Sequence, residues 1–316
     1  MSKVEIIMYH YVRSKNYSIY KKLKFLDFIS FKKQLDYLEE NYNVLDPSVL
    51  QNKKPNIPKK SCILTFDDGY KDHIDFVYPE LKKRKLKGAF FPTGITTLEN
   101  KILDTNLIQH ILSVSKNKYL LIKEVESLCI ENGLKKKEFL KKYLKYSVNP
   151  KIKSSKPINR YDESNIIFLK RLLQFGLEKN LRSKIVKILF KKYINIPISN
   201  FSKNFYMNRD DINKLLDNQM VIGSHTFNHV WLGYLSKQDQ EREIKKSLEF
   251  LNYFKIPSEN WIMCYPFGSY NSNTIKILKK NNCACAVTTK SKVAILKSGN
   301  LFELPRKDTN DYKNLY

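Results

Sequence analysis

The order of apolar and polar positions divides the chain into two alternating stretches separated by a helical one. An apolar run over residues 4–9 stops at His10, and a second over 62–66 stops at Asp67, Asp68 and Gly69. Short apolar runs that end at turn residues read as buried strands. Between them Phe31, Leu35 and Leu38 recur at helical spacing after Ser30, which reads as the cap. Residues 73–84 read as a helix and 88–92 as a third strand. Strands that alternate with helices argue for a parallel α/β architecture. Over 101–205 the pattern becomes helical throughout, apart from a polar, proline-containing hinge at 147–162. Alternation then resumes, with strands expected over 220–224, 261–265, 283–288 and 301–305. Helices are expected over 210–218, 236–254 and 273–280. Ser236 with Asp239 has the spacing of a capping box.

Composition narrows the picture. A chain of 316 residues with 42% hydrophobic side chains can fill one large barrel domain, here 1–316 with 101–205 as a helical insertion. The formal charge is +26, and residues 101–205 hold 23 basic against 8 acidic residues, a surplus of +15. That surplus reads either as a solvated lysine-rich face or as attraction for an anionic substrate or a membrane surface. No nucleic-acid motif accompanies it, so no nucleic-acid partner is expected. Five cysteines have no framework spacing, and four of them, Cys62, Cys264, Cys283 and Cys285, lie in strand-like runs and are expected to be reduced core residues. The N-terminus has no signal-peptide apolar core, and no run of about 18 apolar residues could span a bilayer, which predicts a cytoplasmic protein. The oligomeric state is not legible.

Two adjacent carboxylates at a strand end are costly to bury without a cation or proton between them. Far downstream, His225 and His229 are spaced i, i+4, which on a helical turn places both rings on one face. One aspartate with two histidines makes a three-ligand metal site with open positions, and the other aspartate is free to act as a base.

The segments Thr65-Phe66-Asp67-Asp68-Gly69 and His225-Thr226-Phe227-Asn228-His229 resemble the first two motifs of the polysaccharide deacetylase (NodB-homology) family. Lys87-Gly88-Ala89-Phe90-Phe91 resembles the strand after the first motif, and Tyr265-Pro266-Phe267-Gly268 resembles the third motif. The resemblance covers roughly residues 3–100 and 206–307. It implies a distorted (β/α)7-type barrel carrying the helical insertion. It implies a metal held by Asp68, His225 and His229, with Asp67 as base and the Phe267 backbone N–H facing the oxyanion. Zn²⁺ suits the ligands, as do other divalent transition ions. The implied reaction is hydrolysis of the acetamido group of an amino sugar, in a glycan or in a nucleotide- or lipid-linked precursor.

Two departures qualify the resemblance. Cys264 stands where the family's third motif usually begins with arginine, and Arg306 is the candidate replacement. No histidine follows His229, so the usual late acid is missing. A subgroup of the family begins with a Tyr-His pair like Tyr9-His10, which makes His10 the candidate acid. The alternatives are an inactive sugar-binding relative, a deacylase or deformylase of another amide, and a two-histidine iron oxygenase. The last usually places its acid two residues from the first histidine.

Overall fold

The computed structural model describes residues 3–14, 23–52, 57–147, 162–296 and 300–312. These fall into two compact units. One comprises the described residues of 1–18, 25–101 and 202–316, the other those of 19–24 and 102–201.

Seven of the strands described in the first unit form its barrel: β1 (Lys3–Tyr9), β2 (Ser61–Asp68), β3 (Ala89–Pro92), β4 (Val221–Ile222), β5 (Trp261–Cys264), β6 (Cys283–Val287) and β7 (Lys307–Asp308). Neighbours in this order pair in parallel, β1 with β2 from Val4↔Ser61 to Tyr9↔Phe66 and β2 with β3 from Thr65↔Ala89 to Asp68↔Pro92. β3 pairs with β4, and β5 with β6. Single bridges, Ser224↔Met263 and Val287↔Leu304, carry the ring across its two weak seams, and β7 closes it on β1 through Ile7↔Lys307. The result is a closed, irregular parallel barrel.

Strand periodicity sorts the side chains. Val4, Ile6, Ile63, Phe91, Ile262 and Cys285 form one buried cluster. The intervening Ile7, Tyr9, Leu64, Phe66, Phe90 and Met263 belong to a second, which includes Phe31, Leu35 and Leu38 of helix α1 (Phe28–Asn41). Successive strand residues face opposite sides, so one set fills the barrel and the other packs under the helices. Each such Leu, Ile or Phe contributes about 1.5–3 kcal/mol. Cys62, Cys264, Cys283 and Cys285 are buried and free, as expected, and so is Cys129.

Three local expectations are corrected. The cap of α1 is Asp27, whose Oδ2 accepts from the Ile29 N–H at 3.2 Å, so the helix begins before Ser30. Residues 73–84 start with a wide turn, His73–Val77, before the regular helix Tyr78–Lys83. Residues 301–305 are not a strand: Leu301–Glu303 is a 3₁₀ turn, Leu304 makes one bridge, and pairing resumes only at Lys307. Pro305 has no N–H to extend a ladder.

The second unit is helical. Asp104–Val114, α2 (Lys118–Glu131), α3 (Lys136–Tyr146), Ser164–Arg171 and Lys179–Ile194 surround a core that includes Leu107, Ile111, Leu121, Val125, Phe168 and Leu189. His110 lies in it as a packing residue, its Nδ1 bonded to the Asn106 carbonyl at 2.7 Å. Most of the hinge expected at 147–162 lies outside the described residues. No helix among the described residues is long and apolar enough to cross a membrane.

Candidate active site

The site lies at the C-terminal end of β2, where parallel α/β barrels gather their functional groups. Asp67 keeps the strand's alternation and follows Thr65 toward the barrel interior. Asp68 would by the same alternation face the helices, but its φ is 71°, and this left-handed step turns its carboxylate back over the barrel end. Gly69 follows at φ 69°, with a Cβ there only 2.8 Å from Pro92 Cβ, so the turn admits no side chain.

Asp67 is 1% exposed and held by Arg306, itself fully buried, through Nη1–Oδ1 at 2.7 Å and Nη2–Oδ2 at 2.6 Å. Burial alone would raise its pKa, but the guanidinium outweighs burial and holds it at about 2. Arg306 also donates to Thr65 Oγ1, to the Thr288 carbonyl and, at 3.2 Å, to Cys264 Sγ. A small residue at 264 thus leaves room for a guanidinium arriving from the last strand, the replacement expected from the sequence.

In the other half of the site no lysine or arginine among the described residues pairs with Asp68. His225 Nε2 and His229 Nε2 stand 3.2 and 3.1 Å from Asp68 Oδ1. His225 donates from Nδ1 to the Cys264 carbonyl at 2.8 Å, so in the neutral ring Nε2 presents a lone pair. Asp68 Oδ1 is buried with no hydrogen bond of acceptable geometry. Acceptors converging in this way call for a cation. Ligands about 2.1 Å from a tetrahedral ion stand roughly 3.4 Å apart, close to the spacing seen. A second trio, Asp67, His225 and Cys264, is also close enough to ligate, but there both Asp67 oxygens already face a guanidinium. The residues therefore fit a divalent ion on Asp68, His225 and His229.

The two histidines do not share a helical turn. Residues 225–229 form a loop with Thr226 at φ 59° and His229 at φ 53°. The rings converge because the loop is tied down: Asn228 donates from Nδ2 to Glu243 Oε2 at 2.8 Å and from its backbone to Oε1 at 2.5 Å. Glu243 sits on α4 (Lys237–Tyr253), whose N-cap is Ser236, as expected.

His10 lies beside this centre, its Nε2 3.8 Å from Asp67 Oδ2 and its side chain 43% exposed. Phe267 sits at φ 58°, with its ring 4.7 Å from that of His229 and stacked on Trp231 at 4.4 Å. All seven residues singled out in the sequence therefore lie within or against one centre.

Sequence reasoning gave no site role to three neighbours, His73 among them, which it read as a surface or packing residue. The Tyr70 hydroxyl donates to Asp68 Oδ2 at 2.5 Å, which fixes the carboxylate and leaves Oδ1 facing the histidines. Its ring stacks on Tyr11 at 4.0 Å, and residues 69–71 are bonded to 205–207 through Met207 N to Gly69 O and Lys71 N to Phe205 O. His73 is fully buried and donates from Nε2 to the His10 carbonyl at 2.8 Å. Burial holds its pKa down to about 4, so it stays neutral. Trp231 is the third. Only the position of Tyr70, two residues after Asp68, hinted at a role.

The polysaccharide deacetylase profile matches residues 54–116 and 176–286, more than half of the chain. The chain belongs to the polysaccharide deacetylase family. YxkH of Bacillus subtilis (strain 168), a candidate polysaccharide deacetylase, is 34% identical over 99 residues, 29% of this chain. The match spans about a third of that relative's length, 33%. Similar solved structures include the Streptococcus pyogenes deacetylase PplD in complex with acetate, with a TM-score of 0.57 at 19% identity over 97% of this chain and 92% of that one. A de-N-acetylase from Aggregatibacter actinomycetemcomitans gives 0.53 at 16% over 97% and 95%. IcaB from Ammonifex degensii gives 0.54 at 16% over 97% and 91%. At these identities the structures establish the shared barrel fold.

Proposed function

We propose that the protein is a metal-dependent N-deacetylase that hydrolyses the acetamido group of an amino sugar to an amine and acetate. The observation that carries this reading is the contrast within the Asp67-Asp68 pair. One carboxylate is clamped by Arg306, and the other faces two imidazoles with an unfilled acceptor. Asp68, His225 and His229 would hold the ion, with Zn²⁺ suited to such ligands.

When bound, the ion would lower the pKa of a water and polarise the acetyl carbonyl. Asp67 takes a proton from the attacking water as its oxygen bonds to the carbonyl carbon. The Phe267 backbone N–H would face the oxyanion. His10 Nε2 gives a proton to the departing nitrogen as the C–N bond breaks. With a pKa near 2, Asp67 is a weak base and releases its proton readily. His10, 3.8 Å away, is placed to receive it, which resets both groups. Arg306 keeps Asp67 ionised and aimed, and His73 fixes the backbone from which His10 projects.

The test is acetate release from free, nucleotide-linked, lipid-linked and polymeric N-acetyl sugars, by protein loaded with a divalent metal and by chelated protein. Metal-dependent acetate from at least one class is expected. Loaded protein that binds sugars and releases no acetate would instead favour a binding role. His10→Gln should lose far more activity on the amide than on an activated ester, whose leaving group needs little protonation. Equal losses would remove His10 from the acid role.

A further inference from the structure

Large apolar side chains are exposed at eleven described positions, and six of these fall between residues 119 and 144: Tyr119, Leu120, Ile130, Leu140, Tyr143 and Leu144. All six lie on α2 and α3, consecutive helices joined by a tight turn through Gly133, with Leu134 N bonded to the Cys129 carbonyl at 3.0 Å. Scattered apolar residues on a surface are ordinary, but concentration on one helix pair points to an interaction surface, even with Tyr143 set aside because its ring packs on Phe168.

Helical spacing sorts α3 into two sides. Phe139 is buried against Phe168, and Tyr143 also meets that ring edge-on. On the other side Leu140 and Leu144 are one turn apart, 49% and 79% exposed, with Lys137 and Lys141 exposed beside them. Residues 116–146 hold nine lysines and four acidic residues. On α2, Tyr119 and Leu120 are exposed with Lys123.

We propose that this helix pair is a docking face for an anionic lipid bilayer. Leucines at the acyl boundary with lysines reaching back to head-group phosphates are what an interfacial helix presents. A nucleic acid or acidic protein would use the lysines and gain little from Leu144. A second copy of this face would set lysine against lysine. The bilayer satisfies both the charge and the apolar side chains. The face belongs to the helical unit alone, and its role does not depend on the reaction assigned above.

The experiment is cosedimentation of the full chain with phosphatidylcholine vesicles, with and without phosphatidylglycerol, across a salt series. Capture by the anionic vesicles is expected, weakening as salt rises. Leu140→Ser with Leu144→Ser should lower partitioning on the order of tenfold, as should Lys137→Gln with Lys141→Gln, which also flattens the salt dependence. These side chains are exposed, so thermal melts should be unchanged. No capture by anionic vesicles, or capture undiminished by the leucine changes, would overturn the proposal. So would sedimentation showing that the leucine changes dissociate a dimer of the free protein.

Discussion

Asp67 and Asp68 are adjacent in sequence and close in space, yet their surroundings solve the cost of a buried carboxylate in opposite ways. Asp67 has a cation of the protein's own, Arg306, bonded to both oxygens. Asp68 has a phenol on one oxygen and two imidazoles near the other. Burial alone raises the pKa of both; the guanidinium reverses this for Asp67, and for Asp68 the two histidines do so only where a ring N–H faces its oxygen. The first arrangement is electrostatically complete without a ligand. The second is complete only when a proton or a metal ion joins it. A single peptide step, with one left-handed φ, thus separates a carboxylate paired with a guanidinium from one that faces two imidazoles.

Substitutions can break this contrast, and the largest effect should be on turnover. Asp67→Asn is expected to lower kcat about 10²–10⁴-fold while keeping the metal, whereas His225→Ala should lose the metal. Elemental analysis beside kinetics decides this, and a metal-free Asp67→Asn protein would exchange the two assignments.

Arg306→Leu comes next, because breaking a buried pair costs about 3–5 kcal/mol of stability. It should also reverse a pH dependence. In the wild type Asp67 has a folded pKa near 2, below the unfolded value of about 3.9, so its contribution of about 2–3 kcal/mol is present above pH 4. That contribution is lost as pH falls toward 2. Without the guanidinium, burial raises the folded pKa above the unfolded one, so stability should fall as pH rises through it. Denaturant melts of metal-free protein from pH 2 to 7 would show this, and parallel slopes in both proteins would contradict it. The smallest effect is expected for Tyr70→Phe, a loss of about 10–100-fold in metal affinity. Competition with a chromophoric chelator measures it, and unchanged affinity would mean that Asp68 needs no support from the phenol.

The strands at 4–9 and 62–66, the helical stretch after 101 and the residues that cluster at the barrel end were legible in the sequence, because these depend on local alternation and residue type. It did not show how His225 and His229 meet. The i, i+4 spacing suggested a helical turn, but the rings converge through a loop fixed by Glu243, fifteen residues beyond Asn228. The expected strand at 301–305 failed for a local reason, Pro305, whose effect on the ladder outweighed the apolar run. Tyr70 and His73 carried no periodic signal. Their partners, Asp68 Oδ2 and the His10 carbonyl, exist only once the barrel has closed.

Four residues of the site have left-handed backbone without being glycine: Asp68, Thr226, His229 and Phe267. Thr226 is the most costly of them, since a β-branched residue is a true outlier at positive φ. Each such position withholds on the order of 1–3 kcal/mol from the folded state. Heat resistance and usefulness are therefore opposed here. Glycine at 226 would relax the backbone and harden the molecule against heat, but it would loosen the segment that aims both imidazoles. An engineer ranking positions by melting temperature alone would be drawn first to the part of the chain that the chemistry can least spare.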